Sequence, residues 1–148
     1  MTFEKQEILV DTGFFLALNN PLDPDHQNAK SALKTFPRVQ WITTWPVITE
    51  VCHLLWRYRP TSIQSFLKSY ENGGFDVFSL EKEHIARVCN LMSAYQDLPM
   101  DLADASLVLL AEAVGHGKIL TTDRRDFSTY RWGNKKKFEN LLPSNSPR

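Results

Sequence analysis

No stretch of this sequence is apolar for long enough to cross a bilayer, which takes about 20 consecutive residues in a helix. The opening MTFEKQE lacks the basic start and apolar centre of a secretory leader and runs straight into an expected strand. A cytoplasmic protein with no membrane association is therefore expected. Cysteine is scarce: Cys52 and Cys89 stand alone, far from the close spacing of a zinc or redox motif. Both are expected to be buried thiols in a reducing compartment. Net charge is missing as well, since 17 basic and 17 acidic residues cancel. Without a bulk positive field, a role in coating or packaging nucleic acid is disfavoured. An enzyme that touches RNA at one place is not excluded. The histidines His26, His53, His84 and His116 show no i, i+4 pairing and read as structural or exposed. There is no internal repeat and no linker.

What remains is an ordinary globular composition, 43 % hydrophobic and 23 % charged over 148 residues. That suffices for one core without disulfides or a structural metal. Residues 1–142 are expected to form one domain and residues 143–148 a flexible tail.

Apolar runs and breakers alternate along the chain. Residues 7–11 (EILVD) read as a buried strand ending in an acid. Helices are expected over 13–18 and from 23–26 to about 36, the first stopped by Asn19-Asn20-Pro21 and the second by Pro37. A second strand follows at 39–43. Pro46 sits in the first turn of the next helix, where its missing N–H does no harm. Val47, Val51, Leu54, Leu55 and Tyr58 recur along that helix at helical spacing, and Arg59-Pro60 closes it. Thr61 or Ser62 can cap another helix that ends at Gly73-Gly74. A strand at 75–80, an amphipathic helix at 81–96 and the most apolar helix at 101–114 come next. Gly115 and Gly117 bracket the exit of that helix, before a fourth strand at 118–121. A short helix at 124–128 and an edge strand near 130–132 complete the pattern. Strands separated by helices predict an α/β domain on a central parallel sheet.

In such sheets ligands bind beyond the carboxyl ends of the strands. Asp11 ends the first strand, Asp123 follows the fourth by two residues, and Glu50 and Asp104 lie in the first turns of helices. They are 39, 54 and 19 positions apart in sequence, yet one sheet edge can gather them. Converging acids without basic partners repel, and hard divalent cations are the usual remedy. Such a site hydrolyses phosphodiesters without histidine or cysteine. Each acid also has a plainer use. Asp11 can N-cap a helix, Asp101 and Asp104 can offset a helix dipole, Asp123 and Asp126 can form a turn, and Glu50 can face solvent.

Four blocks, LVDTGFFLAL at 9–18, ITEVCHLL at 48–55, DLADASLV at 101–108 and ILTTDRRDF at 119–127, resemble the PIN-domain nucleases in order and spacing. The resemblance spans nearly the whole chain. It implies a three-layer α/β/α fold, metal-dependent endoribonuclease activity leaving a 5′-phosphate and a 3′-hydroxyl, and homodimerisation. Asp11, Glu50, Asp104 and Asp123 match the quartet that carries catalysis and binds magnesium, for which manganese can substitute. Thr12 and Thr121 match supporting hydroxyl residues, and Asp101 and Asp126 are further acids beside the quartet. Compact members resemble the toxins of VapBC-type toxin–antitoxin pairs, so an RNA substrate and an antitoxin partner are implied. No quartet position is replaced, as it would be in an inactive member. Arg57, Arg59, Arg124 and Arg125 are candidate phosphate contacts, or else dipole partners and solvated surface. Lys135–Lys137 reads as a solvated run. Trp41, Trp45, Trp56 and Trp132 are candidates for stacking on bases, with Trp41 and Trp56 better suited to a core or interface. The rival readings are a stand-alone RNA-processing nuclease, a PIN-like module that binds without cutting, and a receiver-like signalling domain. The Asp101 and Glu50 helices fit the last poorly.

Overall fold

Ile8, Leu9 and Val10 are at most 1 % exposed, so this short run is covered on both faces, as a central parallel strand must be. The computed structural model describes residues 6–144. The residues of the opening segment up to Lys5, and residues 145–148 of the tail expected at 143–148, lie outside them.

The run is β1 (Gln6–Val10), followed by α1 (Thr12–Asn19), α2 (His26–Thr35), β2 (Val39–Thr44), α3 (Trp45–Tyr58), α4 (Thr61–Glu71) and β3 (Asp76–Phe78). A 3-10 turn at Lys82–His84 leads into α5 (Ile85–Ala94). Then come α6 (Leu102–Val114), β4 (Lys118–Leu120), α7 (Arg124–Thr129), β5 (Arg131–Trp132), β6 (Lys136–Lys137) and β7 (Glu139–Asn140). The main sheet has the order β3-β2-β1-β4-β7, and every pairing in it is parallel. Helices flank it, giving the three-layer α/β/α class expected. Among the described residues no helix is long and apolar enough to cross a membrane.

From β1 the chain moves outward through β2 to β3, then returns past β1 to β4. The reversal makes β1 and β4 the point where consecutive connections diverge, which is where open α/β sheets form their crevice. The backbone N–H of Asp11 donates to Leu120 O at 3.1 Å, carrying the β1–β4 pairing to the strand ends. On α6, Ala103 and every residue from Ala105 to Ala111 are buried, as suits a helix apolar on all sides. Gly115 takes the left-handed conformation, φ 81°, that closes it.

Four expectations are corrected. The edge strand near 130–132 does not join the main sheet: β5 pairs antiparallel with β6 in a separate two-stranded ribbon. The fifth strand of the main sheet is β7, too short and too polar to show an apolar run. Cys89 is exposed and Cys52 half-buried, because α5 turns Val88 and Leu91 inward and leaves position 89 on its outer side. Trp56 is 66 % exposed, which removes the core alternative of its expectation and leaves the interface alternative: α3 buries Val47, Ile48, Val51 and Leu55, a stripe that does not include it. Trp41 does pack inward, its ring stacked 5.7 Å from that of Phe14.

Candidate active site at the carboxyl edge of the sheet

Asp11 follows β1 directly and N-caps α1, its Oδ1 accepting from Thr12 N at 2.7 Å. Its other oxygen, Oδ2, accepts from Thr121 Oγ1 at 2.8 Å, and the same Thr121 oxygen accepts from Asp123 N at 2.9 Å. One buried hydroxyl therefore joins the acid after β1 to the acid after β4. Asn140 of β7 holds Thr121 in turn, with Nδ2 donating to Thr121 O at 3.0 Å and Oδ1 accepting from Thr121 N at 3.3 Å.

Asp123 caps α7, accepting from Asp126 N at 3.1 Å. Asp101 and Asp104 form a reciprocal capping box at the start of α6: Asp104 N donates to Asp101 Oδ1 at 2.8 Å, and Asp101 N to Asp104 Oδ2 at 3.4 Å. The Tyr130 hydroxyl also donates to Asp104 Oδ2, at 3.2 Å. Glu50 is half-buried in α3. Thr44, which caps α3, ties that helix to α6. Ser106 Oγ donates to Ala103 O, so Thr44 is the donor in the 2.6 Å bond to Ser106 Oγ.

Every acid of the quartet except Glu50 is thus a helix cap or part of one. Capping and convergence are not alternatives, because helix N-termini and strand carboxyl ends share one edge of a parallel sheet. The electrostatics follow from the convergence. Burial pushes the Asp11 carboxyl up to about 6 against the Thr121 and Thr12 hydrogen bonds, and the charges of Glu50 and Asp123 raise it further. Asp104 is raised by burial and then by Asp101 and Asp11. Asp123 is raised by burial and by Asp126, with Arg125 pulling the other way. Tyr130 is pushed upward by burial and by the Asp104 carboxylate it serves.

The donor set suits a hard divalent cation in its chemistry: oxygen throughout and a shortage of countercharge. Thr12 Oγ1, next to Asp11, is the one buried side-chain polar atom without a hydrogen bond among the described residues. In the arrangement observed, no three acidic, histidine or cysteine side chains among those residues stand close enough to enclose an ion. Asp11, Asp104 and Asp123 are instead each engaged by a protein donor, which is how mutually repelling acids settle. The chemistry therefore fits, and enclosure requires side-chain rotation away from the caps.

The arginines divide. Arg125 faces Asp123 electrostatically, whereas Arg124 is held by Asp25 at 3.4 Å and by Pro143 O at 2.6 Å. Arg57 and Arg59 are exposed at the far end of α3, roughly 10–13 Å along its axis from Glu50 at 1.5 Å per residue. Lys135–Lys137 is exposed, and Lys136 Nζ lies 4.8 Å above the Trp132 ring. Sequence reasoning missed Asn140 and Tyr130. Neither had a signal, since both reach the site only through tertiary placement.

A cavity of about 550 Å³ is lined by Phe14, Phe15, Trp41, Phe66 and Phe75 and holds none of the acids. Another, about 620 Å³, lies between the starts of α3 and α6 and includes Glu50 and Asp101.

The PIN domain family model matches residues 8–133. Ribonuclease VapC26 of Mycobacterium tuberculosis is 26 % identical over 125 residues, covering 84 % of this chain and 92 % of that protein. The crystal structure of VapC20 from the same organism, described as a Sarcin-Ricin loop cleaving toxin, aligns with a TM-score of 0.71. At 19 % identity, over 80 % of this chain and 91 % of that one, it shares the fold.

Proposed function

This chain belongs to the PIN domain family, and from that membership we propose that it is a magnesium-dependent endoribonuclease of the cytoplasm, the toxin of a VapBC-type pair. The observation that carries the reading is the buried Thr121 hydroxyl that donates to Asp11 and accepts from the Asp123 N–H at the strand ends. The Asp104 cap of α6 and Glu50 of α3 are near enough for charge to act between them and Asp11. The relatives support the choice of RNA: one is named a ribonuclease and the other a toxin that cleaves the Sarcin-Ricin loop.

Asp11, Asp104 and Asp123 would hold magnesium, or manganese in its place, with Glu50 beside them. The bound cation supplies an activated water and stabilises the developing charge on phosphate. Thr121 fixes the orientation of Asp11 and favours its ionised form, since a hydrogen bond to a carboxylate stabilises the charge. Tyr130 and the Asp101 cap hold one Asp104 oxygen in place. Arg125, whose charge acts on Asp123 two residues before it, would meet a phosphate there. Asp126 and Thr12 complete the surroundings of the acids.

The test is cleavage of a structured RNA by the purified chain, with magnesium and with EDTA, for wild type and Asp11→Asn. Cleavage is expected only for wild type with metal. Equal cleavage by freshly purified Asp11→Asn, or cleavage that survives EDTA, overturns the reading. The antitoxin partner and the homodimer belong to the same proposal. Co-purification with the product of the adjacent reading frame and sedimentation of the isolated chain test them.

A further inference from the structure

We infer that the groove between the starts of α3 and α6 seats an unpaired nucleobase of the substrate, stacked on Trp45 beside Glu50. The inference rests on the RNA-cleaving reading above and extends it to the residue that positions the strand.

The groove is lined by Trp45, Pro46, Thr49, His53, Leu102 and Ala103, with Glu50 and Asp101 at its acidic side. Its volume, about 620 Å³, is in the range of sites that take small planar ligands, about 300–1,000 Å³. Trp45 is the first residue of α3 and follows Thr44, which is anchored to Ser106. Its ring is 5.6 Å from that of Tyr70 at an interplanar angle of 89°, so it is held in place while 44 % of its surface stays exposed. Leu102, across the groove, is 45 % exposed. A fixed, half-exposed indole offers a face on which bases stack irrespective of sequence.

The charges decide the occupant. Glu50 and Asp101 repel a phosphate inside the groove, and an apolar protein segment laid over them would bury the charges of both while supplying no new donor to either. A nucleobase avoids both penalties: its faces are apolar, its edge carries N–H donors for the acids, and its phosphate remains outside. Glu50 belongs to both the groove and the quartet, so a base seated there lies on the side of the acids, and its adjoining phosphodiester is directed toward them.

The experiment measures binding of a fluorescein-labelled oligocytidylate, and of its abasic counterpart with the same phosphates, to Asp11→Asn protein in magnesium. Trp45→Ala and Trp45→Leu, added to that background, are expected to weaken oligocytidylate binding about tenfold. Trp45→Phe should retain most of the affinity, and none of the three should alter binding of the abasic strand. Circular dichroism verifies the fold, and Trp45→Leu keeps apolar bulk against Tyr70. Equal affinities for Trp45 and Trp45→Ala protein, or no detectable oligocytidylate binding at all, overturn the inference. So does a loss that sedimentation traces to separation of a dimer through this face. If the chain cleaves no RNA yet binds oligocytidylate through Trp45, the inference stands and the catalytic reading fails.

Discussion

Thr121 Oγ1 lies 2.8 Å from Asp11 Oδ2 and accepts from the backbone N–H of Asp123 at 2.9 Å, so a single fully buried hydroxyl sets the distance between two strand-end acids. Replacing it by Thr121→Val keeps the shape and removes both bonds. The Asp11 carboxyl loses a stabiliser of its charge and rises further. The Asp123 N–H is left unpaired, a cost of about 1–3 kcal/mol if it finds no water. RNA cleavage at neutral pH should fall at least tenfold, with the acid limb of the pH–rate profile displaced upward. Thr121→Ser should restore the limb. A profile identical to wild type would show that the hydroxyl only supports the fold.

How much of this was legible depended on whether a residue's place follows from its own segment. Asp11 and Asp123 could be read from strand ends and breakers alone. Glu50 could not, because its helix would tolerate a glutamate anywhere on its outer side, and only the resemblance singled it out. Asp101 and Asp104 were distinguishable as ligand and cap only by resemblance, and the structure makes them two halves of one capping box. Asn140 was hidden because β7 is a two-residue strand held mainly by its neighbours. Trp56 misled because apolar neighbours in sequence need not share its face of a helix.

Asp11 should make stability depend on pH in a defined direction. Its folded-state value, about 6, exceeds its ordinary value of 3.8, so the folded chain binds the proton more tightly than the unfolded chain. The associated stability is fully present below about pH 4 and is lost as pH rises through about 6, on the order of 3 kcal/mol in all. In EDTA, urea titrations at pH 4 and pH 7 should therefore show wild type losing ground to Asp11→Asn as pH rises. A constant difference between the two proteins would contradict the burial of the Asp11 carboxyl, the chief cause of its raised value.

Divalent cations should reverse that loss. Binding to the folded state alone stabilises by about 2.7 kcal/mol at a concentration 100 times the dissociation constant, which for a chain of this size raises the melting temperature by several degrees. The rise on adding magnesium or manganese should be larger at pH 7.5 than at pH 5, where protons compete for the same oxygens. It should be small in Asp11→Asn. Calcium-free buffers with EDTA controls and differential scanning calorimetry measure it. An equal rise in wild type and variant would place the cation elsewhere.

Tyr130 is 0 % exposed, with its ring packed edgewise on Tyr95 and Phe127 and its hydroxyl on Asp104 Oδ2. Tyr130→Phe keeps the packing and removes one of the two donors to that oxygen, leaving the Asp101 N–H at 3.4 Å. As a positioning residue it should act on metal use more than on folding: the magnesium concentration for half-maximal cleavage is expected to rise several-fold, with the urea midpoint nearly unchanged. If activity and magnesium dependence both match wild type, the Asp104 contact has no part in the site.

Gly13 tests the closeness of the two strand ends from the side opposite to Thr121. A Cβ built at Gly13 overlaps Thr122 Oγ1 and comes within 3.1 Å of Thr122 Cβ. Thr122 lies between the residue that bonds Asp11 and the acid that follows β4, so Gly13→Ala has to move that segment or the start of α1. The methyl itself favours the helix by up to about 1 kcal/mol, so a purely local view predicts stabilisation. The close approach predicts the opposite sign, because turning Thr122 Oγ1 away still leaves the new methyl 3.1 Å from Thr122 Cβ, between the Thr121 and Asp123 bonds. Gly13→Ala should therefore lower the urea midpoint and reduce cleavage together, while Gly13→Ala/Thr122→Gly, which reopens the space, should recover activity. A stabilised, fully active Gly13→Ala protein would mean that the loop after β4 has room to retreat without taking Asp123 with it.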